Sequence, residues 1–316
     1  MSFKHLILPE KFSAPTELQD MHSKLVKELG FKEAEDLYLS EGTKEFNAII
    51  TQSFNKLYLT EESVFVGAPT GSSIITCAEL AIFKEVQSET FDKIVYMCPV
   101  ESLCKLRLQD WKKRLGEAIG ISIEMLTGNL QQDLQIINKA DIIISTTEKW
   151  DMVSRKWRQR KAIQRVGLYI LDQMQILDAT YEVVASRIRF MQNEVERKIR
   201  IVSLSTPLAN AKDVANWLGI PFPGNTFNFH PSVRPTPLEI HIQGFDHNNK
   251  AVRLLAMHRP AYNALKKSLP HPSSSKNPQS LVFVSDRKQA RLTALDFVNF
   301  VQSEASEKDK YRFLDC

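Results

Sequence analysis

Between residues 64 and 206 the chain alternates two hydrophobic textures. Six short runs are rich in apolar and β-branched residues: VFVGAP (64–69), KIVYMCP (93–99), ISIEMLTG (121–128), DIIISTTEKW (141–150), GLYILDQ (167–173) and IRIVSLST (199–206). Near-continuous apolar runs of this length fit strands buried on both faces. The segments between them, such as ITCAELAIFKEV, SLCKLRLQDWKKRLGEAI and EVVASRIRFMQNEVE, repeat their apolar residues at helical spacing. Strand and helix in alternation predict an α/β fold, a parallel sheet with helices on both faces.

The pattern changes at both ends. LILPEKFSAPTELQD carries two prolines and little periodicity, so residues 1–43 read as an extended arm rather than a core element. PFPGNTFNFHPSVRPTP (221–237) reads as a connection between domains, after which LEIHIQGF restarts a strand. AVRLLAMHRPAYNALKKSL is helical, with Pro260 able to kink or split it. HPSSSKNPQS (271–280) is a surface loop, and SLVFVSDRKQARLTALDFVNFV a strand, a turn and a helix. Two strands do not make an independent sheet, so the second unit reads as the start of a larger domain. The expected division is an arm over 1–43, a first domain over 44–225, and a connector with a truncated second domain over 226–316.

Composition narrows the chemistry only a little. The net charge of +4 argues weakly for a polyanionic partner. No run of about 18 apolar residues is present, which excludes a membrane-spanning helix, and the N-terminus lacks the pattern of a secretory signal. Cys77, Cys98, Cys104 and Cys316 form no CxxC pair, and neither they nor the histidines fall at metal-ligand spacing; no metal site is expected. RKWRQRKAIQR (155–165) holds six basic residues around Trp157. It is either a backbone-tracking patch or a solvated segment with the tryptophan turned inward.

The stretch GAPTGSSIIT carries the candidate chemistry. A phosphate loop needs a glycine-bearing turn after a strand, then a lysine for the phosphates and a Ser or Thr for magnesium. Thr70, Gly71 and Ser72 supply the turn, but Ser73 stands where a glycine would follow. Ile74 takes the lysine position and Ile75 the hydroxyl position. Either this is a disabled nucleotide loop, or Gly71 turns the chain and Ser72 or Ser73 caps an ordinary helix. At the end of a later strand LDQMQ places Asp172 where a magnesium-linked carboxylate belongs. Gln173 follows it, and an amide cannot take a proton from water at neutral pH.

The order GAPTGS, CPVESL, LTG, STTEKWD, LDQMQ, LSTPLANAKDVANWLG, FNFHPSVRP and VFVSDRKQARLTA resembles the DExH-type superfamily-two RNA helicases over nearly the whole chain. Within them it is most similar to the second, C-terminal cassette of the large spliceosomal kind. The resemblance implies two RecA-like domains, the second cut short here. It implies that Phe46 and Asn47 match the segment that packs on adenine, with Ile50 in place of its glutamine. It implies that Ile74, Ile75, Gln173 and Gln175 replace the family's Lys, Thr, Glu and His, so that Thr70, Gly71, Ser72 and Asp172 are remnants of a nucleotide site. Ser205 and Thr206 begin the motif that couples ATP to RNA, with Pro207 departing from it. Pro99, Glu101, Ser102, Thr127, Gly128, Thr146 and Lys149 match RNA-backbone motifs, with Asn129 in place of an acidic residue.

Together these readings describe a catalytically inactive nuclear cassette that needs no cofactor. Its expected partners are splicing-factor proteins and an active helicase cassette in the same polypeptide, with RNA as a further possible ligand. Two rivals stay open: an RNA-dependent ATPase that uses ATP and magnesium through an unusual loop, and a sensor that binds ATP without hydrolysing it.

Overall fold

The computed structural model describes residues 5–8, 22–88, 92–194, 198–235, 238, 240–268 and 280–304. Its strands are β1 (His5–Leu8), β2 (Val64–Gly67), β3 (Lys93–Met97), β4 (Ile123–Met125), β5 (Ile142–Ser145), β6 (Val166–Leu171), β7 (Arg200–Ser205), β8 (Thr226–Asn228) and β9 (Ile240–Gln243). The longer helices are α1 (Lys32–Ser40), α2 (Ala48–Phe54), α3 (Ile75–Val86), α4 (Glu101–Trp111), α5 (Leu130–Lys139), α6 (Thr147–Ser154), α7 (Ala179–Glu194), α8 (Ala211–Leu218), α9 (Lys250–Ser268) and α10 (Arg287–Glu304).

β2 to β8 form one seven-stranded parallel sheet in the order β4-β5-β3-β6-β7-β2-β8. Alternate residues of each central strand feed two cores. Val64, Val66, Ile94, Tyr96, Leu168, Ile170, Val202 and Leu204 face a cluster completed by α1 to α4. Phe65, Val95, Met97, Tyr169, Leu171 and Ile201 face a second, completed largely by α6 to α8. Because both faces are covered, the strands carry no polar alternation, and each large buried side chain contributes about 1.5–3 kcal/mol relative to exposure. This is a RecA-like fold: the alternation of strand and helix predicts its parallel, doubly covered sheet, and the resemblance implies its RecA-like form.

The chain divides into two compact units, residues 11–238 and residues 1–10 with 239–316. Two expectations change. The described part of the supposed arm, residues 22–43, is not extended: α1 buries Ala34 and Tyr38, and a 3-10 turn before it buries Val26 and Leu29. The apolar residues here are spaced for short helical turns, a pattern the neighbouring prolines obscure. Likewise residues 226–228, read as connection, add β8 beside β2, with Phe65 opposite Thr226. Phe229 then turns into the first core.

In the other unit β1 and β9 pair antiparallel, His5 opposite Gln243. α9 runs through Pro260 as one helix, so the proline does not split it. α9 meets α10 through Tyr262, whose ring lies 6.0 Å from Phe297 and 5.5 Å from Phe300. The buried His258 ties the same two helices, with Nδ1 2.5 Å from Asp296 and Nε2 3.1 Å from the Thr293 hydroxyl. LVFV (281–284), expected as a strand, is unpaired among the described residues and largely exposed. A strand needs a hydrogen-bonded neighbour, and none of the described segments supplies one.

Candidate functional site

The loops after β2 and β6 emerge at the carboxyl edge of the sheet, the edge at which open α/β folds place ligands. β2 ends at Gly67, where a Cβ would lie 2.5 Å from Asn228 Oδ1. Only glycine admits the β8 side chain so close to the backbone. The amide of Ala68 donates to Ser205 O at 2.9 Å, fixing the loop base to the end of β7. Pro69 is buried, and Gly71 turns the chain at φ +82°.

The Ser72 hydroxyl donates inward to Pro69 O at 2.6 Å, and Ser72 O accepts from Asn47 Nδ2 at 2.8 Å. Neither Ser72 nor Ser73 caps α3, which starts without any side-chain cap; the capping expectation does not hold because the Ser72 hydroxyl is already engaged. Ser73 sits at φ +55°, a left-handed position held by a residue with a Cβ. Ile74 and Ile75 do not reach into the loop's opening. They are partly buried against the first core, which is where an apolar side chain at the head of an inward-facing helix belongs.

Asp172, the residue after β6, is buried. Its carboxylate accepts a very short hydrogen bond from the Tyr96 hydroxyl and a second, at 2.8 Å, from the Gln173 amide. Burial pushes the Asp172 carboxyl above its ordinary value, opposed by these two bonds and by the nearby Arg107 charge. Gln173 adopts φ +57°. Gln175 Nε2 donates to Gln173 Oε1 at 2.6 Å, and Gln175 Oε1 accepts from the Ser205 hydroxyl at 3.3 Å and from the Thr206 amide at 3.2 Å. The two glutamines therefore link the ends of β6 and β7 through neutral amides.

Phe46 and Asn47 lie beside the loop but are committed elsewhere. Phe46 is 2% exposed, its ring 5.5 Å from Tyr38 and 6.0 Å from Phe54. Neither face is left for a base. Asn47 caps α2 by accepting from the Ile50 amide at 3.0 Å and spends its Nδ2 on the loop. Ile50 is buried. The sequence-predicted remnants Thr70, Gly71, Ser72 and Asp172 thus share one edge of the sheet, with Asn47 as a brace.

The residues read as RNA contacts gather further along that edge, after β3, β4 and β5. Lys149 Nζ lies 3.6 Å from the Glu101 carboxylate, and a Cβ at Gly128 would lie 3.7 Å from Lys149 Cε. Pro99 and Ser102 flank Glu101 at the head of α4. Thr127 is held internally: its amide and hydroxyl donate to Asp133 Oδ1 at 2.7 and 2.9 Å, while the Gly128 amide takes Oδ2 at 3.0 Å. Thr146 is buried at the start of α6. The basic run 155–165 resolves differently. Arg155 and Arg187 both pair with Asp151, at 2.5 and 2.8 Å. Arg158 pairs with Glu194 and lies over the Trp157 and Phe190 rings. Trp157 packs into the second core, so the solvated-segment reading holds.

The model of the DEAD/DEAH box helicase family matches residues 47–214, from Asn47 to the middle of α8. The chain belongs to the DEAD/DEAH box helicases. It is 43% identical to the U5 small nuclear ribonucleoprotein 200 kDa helicase of Homo sapiens over 320 residues, covering 100% of this chain and 14% of that protein. It is also 43% identical to the activating signal cointegrator 1 complex subunit 3 of Homo sapiens over 98% of its length, and 44% identical to the DExH-box ATP-dependent RNA helicase DExH13 of Arabidopsis thaliana over 95%. Each match spans 14% of the relative's own length. Among solved structures, the DUF1998 helicase MrfA bound to DNA and AMPPNP superposes with a TM-score of 0.64 at 12% identity. That match covers 96% of this chain and 41% of that one.

In this helicase three groups at the cleft were not singled out by sequence. Tyr96 sits mid-strand in an apolar run, indistinguishable there from a core residue. Arg107 lies on α4 with nothing in its surroundings to mark it. Arg234 lies 160 residues beyond the loop it reaches, and only its place in the aromatic, proline-rich FNFHPSVRP hinted at a role.

Proposed function

We propose that this helicase chain is a cassette that does not hydrolyse nucleoside triphosphate. It serves, within a larger RNA helicase polypeptide of the nuclear spliceosome, as a platform for splicing proteins and as a regulator of an active cassette. The observation that carries this reading is the state of the cleft edge. Ile74 is folded against the core, Asp172 is taken up by Tyr96 and the Gln173 amide, and the next side chain is a glutamine. No positioned carboxylate is left to orient and deprotonate water, and the loop carries no cation of its own to stabilise charge on a terminal phosphate. Removing a single positioned donor from such a site typically costs about 10²–10³ in rate.

The spliceosomal part rests on the similarity to the U5 small nuclear ribonucleoprotein helicase, which spans this whole chain. The platform part rests on the fold: the RecA-like sheet and both its cores are intact, so exposed loops are held rigidly whether or not the cleft turns over. Phosphate release from ATP, followed with and without RNA, is expected to stay at background. RNA-stimulated release would overturn the reading. In pull-downs from splicing extract the chain is expected to retain splicing proteins, and loop substitutions that leave folding intact to lose them.

A further inference from the structure

One helix carries apolar side chains on both of its faces. The inner face of α7 buries Tyr181, Val184, Ala185, Ile188 and Met191 in the second core. The outer face carries Val183, 53% exposed, and Phe190, 49% exposed. Seven residues separate the two, so they share one side of the helix about 10.5 Å apart along its axis. Nothing bulky stands between them. Ser186 is small and exposed, and Arg187 is turned aside onto Asp151 and Ser154 of α6, at 2.8 and 2.7 Å. A helix that is apolar on two faces is ordinarily covered on both.

The flank toward α6 is positive. Arg158 lies over the Trp157 and Phe190 rings, 5.3 and 5.7 Å from their centroids, which fixes its guanidinium at the edge of the stripe. Two carboxylates serve three arginines here: Asp151 takes Arg155 and Arg187, and Glu194 takes Arg158. Lys156, exposed between Arg155 and Trp157, meets no carboxylate among the described residues. Glu182 stands on the opposite flank. The surface is thus an apolar stripe with an excess of positive charge along one side.

We propose that this face of α7 docks an acidic amphipathic helix of a partner protein. Apolar side chains of the partner at seven-residue spacing cover Val183 and Phe190, and its Asp or Glu residues meet the arginine edge, where the guanidinium fork suits a carboxylate. The proposal rests on the platform reading and names the surface and the partner's chemistry. RNA fits less well: its phosphates would use the charges alone, and Val183 offers no ring for a base to stack on. A second copy of the chain would bring further positive charge to a patch that already has too much.

The test starts from the full chain with the photo-crosslinker p-benzoylphenylalanine in place of Val183, irradiated in splicing extract, and the crosslinked peptide is sequenced by mass spectrometry. A segment rich in Asp and Glu, with apolar residues three, four and seven apart, is expected. Made as a labelled synthetic peptide, that segment is expected to bind the wild-type chain in fluorescence anisotropy. Phe190→Ser and Arg158→Glu are each expected to weaken it by at least about tenfold, the loss of one anchor. Leu59→Ser removes an exposed apolar side chain beside the first core, across the sheet, and should leave binding unchanged. Val183→Ser serves in place of Phe190→Ser should a thermal melt show that variant unfolded. A crosslink to RNA, to a second copy or to a segment without acidic residues, no crosslink at all, or equal binding by the variants would overturn the proposal. The pull-down separates this failure from that of the platform reading. Splicing proteins retained equally by wild type and Phe190→Ser would leave the platform standing and remove this surface; none retained by wild type would remove both.

Discussion

A buried carboxyl decides most of what the cleft edge can do, and Tyr96 decides the carboxyl. Burial raises the Asp172 pKa above its ordinary value, so between those two values the folded chain holds a proton that the unfolded chain has lost. In that window stability falls as pH rises. Tyr96→Phe removes the hydroxyl that favours the ionised form, which raises the folded value further. The variant is expected to lose about 1.5–3 kcal/mol at pH 7, the usual cost of a missing hydrogen bond to a charged group, and visibly less at pH 4. Urea unfolding at the two pH values checks this; an equal loss at both would mean the hydroxyl is merely packing. At Ser73 the left-handed backbone is occupied by a residue with a Cβ. Ser73→Gly relieves that strain at some cost in unfolded-chain entropy, and a net gain of up to about 1 kcal/mol is expected from thermal melts.

Among elements, the join between α1, α3 and α4 rests on one side chain. Glu79 of α3 is buried and accepts from Tyr38 of α1 at 2.7 Å, from Trp111 of α4 at 3.0 Å and from Arg114 just beyond α4 at 2.9 Å. Arg114 also holds Glu41, which follows α1. Glu79→Ala strands the Tyr38 and Trp111 donors and takes from Arg114 one of its acidic partners, leaving it Glu41 and Asp110, and is expected to cost about 3–5 kcal/mol. Glu79→Gln keeps an oxygen and should cost less than half of that. Nothing in the sequence marks this join, because a glutamate in an apolar helix shows its partners only in three dimensions. The strands β2 to β7 and the covered sheet faces were legible, since burial on two faces leaves a continuous apolar signature; their order in the sheet was not. β8 was not: three residues between prolines and asparagines carry no periodicity, and their pairing with β2 is a long-range choice. At the site, Ser73, Ile74, Ile75 and Gln173 were readable from motif spacing, and Ile50 and Gln175 only from the resemblance, whereas Tyr96 and Arg234 act through contacts that no local pattern records.

For the molecule as a whole, two deficits have to be separated: what the loop lacks and what the β6 end lacks. Ser73→Gly, Ile74→Lys and Ile75→Thr together restore a glycine, a cation and a hydroxyl to the loop. Glycine relieves the left-handed position, and the head of α3 can accept a lysine because Ile74 is only partly buried. This triple variant is expected to bind ATP in a magnesium-dependent way, read by calorimetry. Phosphate release is expected to stay at background, because Gln173 still offers water no proton acceptor and remains bonded to Gln175. Adding Gln173→Glu keeps an oxygen that can accept from Gln175 and places a carboxylate beside Asp172. Slow release is then expected, limited by mutual repulsion of the two acids. The effects should not be additive, since groups that act as a unit give little until the unit is complete. Release by the triple variant alone would place the defect in the loop and leave Gln173 irrelevant, contrary to the chemistry argued from Asp172. Binding by neither variant would show that the shell around the loop, and not its side chains, keeps nucleotide out.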